Sequence, residues 1–121
     1  MYRRIWHVEQ GQVFLPQVRW CDSFASKLRG FTFRKTIGEN EGLVLVEKGE
    51  SRSGTAVHML FVFCDLAVIW LAGDGKIVDM THAKPWRPAY IPSQPAQYVL
   101  ETDPHHLSRL QVGQHLQFRE L

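Results

Sequence analysis

The sequence predicts one small, mostly β domain over residues 1–121. We expect an antiparallel sandwich of jelly-roll type or a barrel-like roll, with two short helices. Short apolar runs of strand length recur along the chain, and glycine or proline separates them. The 121 residues, 45% hydrophobic and 21% charged, suit a single domain with a real core.

The first elements are a hairpin and a central strand. Apolar runs at residues 5–8 and 13–18 flank Gly11, which predicts two strands joined by a turn. The continuous apolar run at residues 43–46 predicts a strand buried on both faces.

A short helix is expected between these strands. Asp22 or Ser23 is placed to cap its start, and Gly30 to end it in a left-handed conformation. Its apolar residues would be Phe24, Ala25 and Leu28.

Residues 56–71 form the longest apolar segment of the chain. Val57, Met59, Phe61 and Phe63 alternate with other, mostly apolar residues, and Cys64-Asp65 interrupts the run before residues 66–71 resume it. A helix here would be apolar all round and rich in β-branched and aromatic residues. Two strands are therefore the better prediction.

The second half predicts a hairpin, a loop, a strand, a helix and a last strand. Gly73 to Lys76 is a tight turn before a returning strand at residues 77–80, and four prolines make residues 85–95 an ordered loop. Strands are expected at residues 96–101 and 115–118. Between them, Asp103-Pro104 predicts the start of a helix that ends near Leu110.

Composition argues against several classes of function. The net charge of +2 is too small to predict nucleic acid as a partner. No stretch reaches the roughly 18 apolar residues of a membrane span, and no apolar run follows the basic residues at the N-terminus. The two cysteines, Cys21 and Cys64, are too few for a disulfide scaffold. We therefore expect a cytoplasmic protein with no membrane partner.

Seven fragments in order resemble the prokaryotic family catalogued as domain of unknown function 192. They lie at residues 28–31, 41–46, 58–63, 75–78, 85–87, 98–101 and 112–114, so the resemblance covers about residues 12–118. It implies a small β domain and no established activity. Members of the family usually carry an aspartate nine residues after the position of His58, where this chain has Ala67. Asp65 lies two positions earlier. A chemistry that depends on that aspartate would be lost or moved here.

The six histidines do not predict a metal site. His105 and His106 are adjacent, and neither has a ligand-type residue four positions later, while the other histidines are scattered. We expect no metal and no cofactor. The histidines are better explained as surface or hydrogen-bonded side chains.

His58 is the one ionisable group in an otherwise apolar predicted strand. Buried there, its imidazole would need a partner, such as Asp65, Glu101 or a loop carbonyl. A structural histidine is the first interpretation. A ligand contact or general base is the alternative.

The proline-rich loop carries Trp86, Arg87 and Tyr90, residue types that anchor ligands or partners. The simpler alternative, which we favour, is that Trp86 and Tyr90 plug the open end of the core. Glu101 is expected to form a structural ion pair with Arg87 or Arg29.

Two classes of function remain open on the sequence alone. The first is a non-catalytic binding or accessory module for a small molecule or protein, with ligand-binding residues His58, Trp86, Arg87, Tyr90, Asp65 and Glu101. The alternative is a hydrolase-like enzyme of small molecules that uses His58 with Asp65 or Glu101. No catalytic motif is present, so we expect the module.

Overall fold

The computed structural model describes the backbone of residues 1–121 and all side chains except those at positions 24, 25 and 28. The predicted apolar contacts of Phe24, Ala25 and Leu28 lie outside the described part. Seven strands and two short helical segments form the chain. They are β1 (Tyr2–His7), β2 (Gln12–Cys21), α1 (Phe24–Arg29), β3 (Gly42–Ser51), β4 (Leu66–Leu71), β5 (Ile77–Ala83), β6 (Ala96–Thr102), a 3-10 helix (Pro104–Arg109) and β7 (Leu116–Glu120).

The mostly β class is confirmed, and local signals explain most element boundaries. Gly11 turns between β1 and β2 with a φ of 63°. Ser23 is the residue that caps α1, where its side chain accepts a hydrogen bond from the Ser26 amide. Asp103 caps the second helical segment as expected, but that segment is a 3-10 helix. In the part of the chain that is described, no helix is long and apolar enough to cross a bilayer.

The strands form one sheet in the order β5-β4-β6-β3-β2-β1-β7. Neighbours are antiparallel except β2 and β3, which run parallel. The two edges of this open sheet meet at one end, where Ile77 accepts a hydrogen bond from the Gly113 amide (2.8 Å) and donates one to Gln114 (2.7 Å). The sheet is therefore rolled, and it is not divided into the two layers of a sandwich.

Each face of the rolled sheet buries its own apolar cluster. All seven strands contribute to the first, which includes Ile5, Leu15, Ile69 and Leu100, and Leu110, directly after the 3-10 helix, closes it. The second cluster, on the opposite face, combines sheet residues with loop residues; its members include Leu43, Val68, Trp70, Val99, Phe31, Val57, Met59 and Val62.

The prediction of a strand at residues 56–63 is wrong. This covering segment, residues 54–64, lies across the second face without joining the sheet, and a single bridge pairs Val57 with Tyr90. A turn follows, in which Val62 donates to the Met59 carbonyl (3.2 Å) and Phe61 has a φ of 61°. The turn breaks the predicted alternation, because Phe61 is exposed although it was expected on the face of the buried Met59.

Candidate functional site

A cavity of about 510 Å³ lies between the covering segment and the second face of the sheet. Its volume is within the range of small-molecule sites in proteins. The walls are mainly apolar and come from the sheet, the covering segment and the loop after α1; they include Phe31, Leu45, Val57, Met59, Val62, Leu66 and Val99. The cavity can hold a small organic molecule against hydrocarbon.

Glu101 is a buried polar residue that the sheet places against this cavity. In β6 it lies opposite Leu43 of β3 and Val68 of β4, so its side chain projects from the middle of the second face. Only 5% of the residue is exposed, and its carboxylate has no hydrogen-bond partner among the residues whose side chains are described. Burial raises the pKa of Glu101 to about 7, although the Arg19 guanidinium acts in the opposite direction. A lone carboxyl therefore faces the cavity.

The neighbouring cations make their hydrogen bonds and ion pairs with other groups, although the Arg19 charge still acts on Glu101. Arg19 of β2 donates to the Gly30 carbonyl (3.0 Å), and Lys27 of α1 pairs with Glu47 of β3 (3.3 Å). Lys27 also donates to the Val46 carbonyl at 3.2 Å. The predicted ion pair of Glu101 with Arg87 or Arg29 is wrong, since no cation lies within ion-pair distance of Glu101 in the described part of the chain.

His58 lines the same cavity, but from the covering segment. The prediction of an imidazole buried in an apolar strand is wrong, because His58 is exposed on irregular backbone. The other five histidines each have a hydrogen-bond partner. Within the described side chains His58 alone has none, which leaves its ring available to a molecule at the cavity.

Asp65 is placed elsewhere and its carboxylate is occupied. It accepts hydrogen bonds from His82 Nε2 (2.6 Å) and Lys84 Nζ (3.3 Å), and the bond from His82 lowers its pKa. Ala67 is fully buried in the first cluster, on the face of β4 opposite to Val68. An aspartate at position 67 of this backbone would therefore face away from the Glu101 cavity.

The proline-rich loop is attached to the covering segment by backbone hydrogen bonds. Trp86 donates to the Met59 carbonyl (2.7 Å), Met59 donates to Arg87 (2.8 Å), and Val57 and Tyr90 exchange a pair. The predicted plug is wrong for Trp86, which is 48% exposed. Tyr90 does pack against the second cluster, and its hydroxyl accepts a hydrogen bond from the Lys84 amide (2.8 Å). The Arg87 side chain is exposed.

Trp86 belongs to an exposed aromatic cluster that also contains Phe33, Phe61 and Phe63. Ring centroids are 5.1 Å apart for Phe61 and Trp86, 5.4 Å for Phe63 and Trp86, and 5.6 Å for Phe33 and Phe61. Phe33, Phe61 and Trp86 have φ values of 66°, 61° and 68°, a region that non-glycine residues rarely adopt. Contacts between the loops hold these three residues there, for example the 2.6 Å hydrogen bond from the Phe33 amide to the Phe61 carbonyl.

Sequence reasoning identified two residues of the cavity, Glu101 and His58, and missed Lys27, Phe31 and Glu47. The signal for Glu101 was available: it follows Val99 at a spacing of two, so it shares the inward face of β6. The others are brought together by packing of the chain segment before β3 against the sheet. Across the described residues, no three His, Cys, Asp or Glu side chains converge as metal ligands would.

By its fold the chain is a small, mostly β protein with a cavity on one face of a rolled sheet. It belongs to the DUF192 family, described as "Uncharacterized ACR", whose profile matches residues 6–118. The resemblance noted in the sequence is thereby confirmed.

Two archaeal relatives are similar to this chain. The UPF0127 protein TK1120 of Thermococcus kodakarensis is 36% identical over 92 residues, which are 76% of this chain and 57% of that protein. The UPF0127 protein PF1050 of Pyrococcus furiosus is 36% identical over 95 residues, 78% of each chain. The chain thus spans little more than half the length of the first relative.

Two solved structures share the fold. A candidate transcription regulator (R01717) from Sinorhizobium meliloti 1021 superposes with a TM-score of 0.82 at 19% identity, over 97% of this chain and 92% of that one. A protein of unknown function from Novosphingobium aromaticivorans gives a TM-score of 0.77 at 16% identity, over 97% and 84%.

Proposed function

We propose that this protein is a non-catalytic binding module for a small molecule, and that the molecule occupies the Glu101 cavity. The observation that carries the proposal is the carboxyl of Glu101, which is almost fully buried, faces a cavity of about 510 Å³ and has no partner among the described residues. In the described part of the chain no fully buried side-chain oxygen is unpaired, so the Glu101 carboxyl is reached from the cavity, and a ligand that displaces solvent there must pair with it.

His58 is the second proposed contact, from the opposite wall of the cavity. Trp86 and Arg87 remain proposed contacts at the surface for a larger ligand or protein, because their side chains are exposed. Asp65 is left out, since its carboxylate already pairs with His82 and Lys84.

A fragment screen by thermal shift tests the proposal. Ala56 is an exposed residue that lines the cavity, so Ala56→Trp places an indole at its mouth. The matched control is Ala89→Trp, an exposed position that does not line the cavity. We expect fragments that raise the melting temperature of the wild type and of Ala89→Trp, and that lose this effect with Ala56→Trp. A screen without any stabilising fragment, or fragments unaffected by Ala56→Trp, would overturn the proposal.

The second candidate is an enzyme that uses Glu101 as a general acid or base. The specific observation in its favour is the pKa of about 7, which suits proton transfer near neutral pH. A panel of p-nitrophenyl esters and phosphates would test it. Turnover with a rate inflection near pH 7 that disappears in Glu101→Gln would favour the enzyme over the module, and absence of turnover would favour the module.

We also propose that the protein is cytoplasmic. Cys21 and Cys64 are both free thiols in the structure, which is the usual state of cysteines in a reducing cytoplasm.

A further inference from the structure

We propose that the ligand of the cavity is a small organic cation, namely a primary ammonium on a short apolar chain, whose charge pairs with the Glu101 carboxylate. This inference rests on the proposed function and adds the chemical class of the ligand. Three properties of the cavity support it: the balance of charge around it, its apolar walls, and the small number of its oxygen ligands.

The charged side chains that line the cavity do not balance. They are Glu101 and Glu47 on the acidic side and Lys27 on the basic side. Lys27 and Glu47 neutralise each other at 3.3 Å, so among the lining side chains Glu101 has no partner of opposite charge, and Arg19 acts on it from beyond ion-pair distance. An anionic ligand would be repelled by that charge, whereas a cation would supply the missing partner.

Among the described residues, no side chain on the elements packed around Glu101 pairs with its carboxylate. Leu43 of β3 and Val68 of β4 flank it with hydrocarbon. Arg19 of β2 is the cation whose charge lowers the pKa of Glu101. Its guanidinium, however, donates a hydrogen bond to the Gly30 carbonyl and lies over the Phe31 ring, 5.9 Å from the ring centroid. His58, across the cavity, is exposed to solvent.

A metal ion suits this site poorly, because hard cations require several oxygen ligands and the second lining carboxylate, Glu47, already pairs with Lys27. The walls formed by Val57, Met59 and Val62 instead favour a ligand with hydrocarbon next to its charge. An alkylammonium ion has both parts.

The pairing predicts how binding depends on pH. Glu101 must be ionised to pair with the ammonium, and its pKa in the empty cavity is about 7. Binding should therefore be weak at pH 5.5 and strong at pH 8, by a factor of about thirty if ionisation of this one group controls it. Since the bound cation would lower the pKa of Glu101, binding near pH 6.5 should release a proton.

Isothermal titration calorimetry with n-butylammonium chloride, n-butanol and sodium butyrate tests the ligand class. We expect n-butylammonium to bind the wild type more tightly than either probe, and to lose affinity at least tenfold in Glu101→Gln. The control Glu39→Gln makes the same change of charge at an exposed position and should leave the affinity unchanged. If Glu101→Gln does not fold, the pH series and the proton release of the wild type still decide, because both depend on ionisation of Glu101.

The outcomes separate this inference from the proposed function. If n-butanol or butyrate binds as well as n-butylammonium, and Ala56→Trp blocks that binding, the cavity is a ligand site and the cation class is wrong. Butylammonium affinity that is unchanged in Glu101→Gln also overturns the class. If no probe binds and the fragment screen is empty as well, both proposals fail.

Discussion

Glu101 is harder to ionise in the folded protein than in the unfolded chain, because folding removes its carboxyl from water. Its pKa rises from the usual 4.5 to about 7. Between those two values the folded state holds a proton that the unfolded state has lost, so the stability of the fold decreases as pH rises through this window. Above pH 7 the decrease is complete and amounts to about 3 kcal/mol.

Glu101→Gln removes this titration while keeping the side-chain shape. We expect the variant and the wild type to have similar free energies of unfolding at pH 4, and the variant to be more stable by up to about 3 kcal/mol at pH 8. Urea denaturation at the two pH values measures the difference. If Glu101→Gln were less stable than the wild type by the same amount at both pH values, the carboxyl would have a structural partner.

Phe61 has a φ of 61°, which disfavours any residue with a Cβ atom. Phe61→Ala and Phe61→Gly both remove the ring, so their difference reports the backbone alone. We expect Phe61→Gly to be more stable than Phe61→Ala by about 1 kcal/mol.

At Phe63, a neighbouring ring without a positive φ, the order should be reversed, and Phe63→Ala should be the more stable variant. Chemical denaturation of the four proteins provides the test. The same order at both positions would contradict strain at Phe61.

At the scale of elements, a buried side-chain hydrogen bond joins the covering segment to the sheet, from Trp70 Nε1 to the Thr55 carbonyl at 2.7 Å. Trp70→Phe leaves that carbonyl without its partner and should destabilise the protein by about 1–3 kcal/mol. Because the segment is then held less firmly, we also expect trypsin to cleave faster after Arg52.

The control for this effect is Trp6→Phe, which makes the same substitution in a half-buried residue of β1. Mass spectrometry of the fragments locates the cleavage. Equal cleavage rates after Arg52 in the two variants would mean that the bond does not hold the segment.

The elements that sequence predicted correctly are those whose signals are local. Gly11 turns between two strands, and Ser23 and Asp103 cap their helical segments through side-chain bonds to amides two or three residues away. Such signals act within a few residues, so they can be read without knowledge of the fold.

The covering segment shows why the rest could not be predicted. Its apolar pattern is compatible with a strand. Contacts with Trp70, Trp86 and Tyr90 hold it outside the sheet, and these residues lie 15 or more positions away along the chain. The candidate site also depends on contacts between residues that are distant in the sequence. Glu101 could be singled out by its position in β6, but the cavity and the exposure of His58 depend on where the segment lies.

At the scale of the whole molecule, the roll depends on how closely its two edges approach. Gly75 makes this approach possible: a Cβ atom there would lie 2.2 Å from the Leu116 carbonyl oxygen, and its φ is 89°. Gly113 has a similar φ of 98° and open space around it. We expect residues 1–121 to unfold as one cooperative unit, so damage at this contact should lower the stability of the entire sheet.

Gly75→Ala and Gly113→Ala separate the close approach from backbone strain, because both substitutions place a Cβ atom at positive φ. We expect Gly113→Ala to cost about 1–2 kcal/mol, and Gly75→Ala to cost at least about 2 kcal/mol more. Thermal unfolding followed by circular dichroism measures both. Similar losses in the two variants would show that the edges do not depend on this contact.

The pairing of β1 with β7 also sets an order of events during synthesis. Arg3 lies opposite Glu120, so β1 has a neighbour that is translated more than a hundred positions later. Until then, one edge of β1 is unprotected, because β2 is the other strand that pairs with it in the described sheet. Completion of the roll must therefore follow translation of residues 116–120, and the nascent chain is most exposed to aggregation and to chaperones before that point.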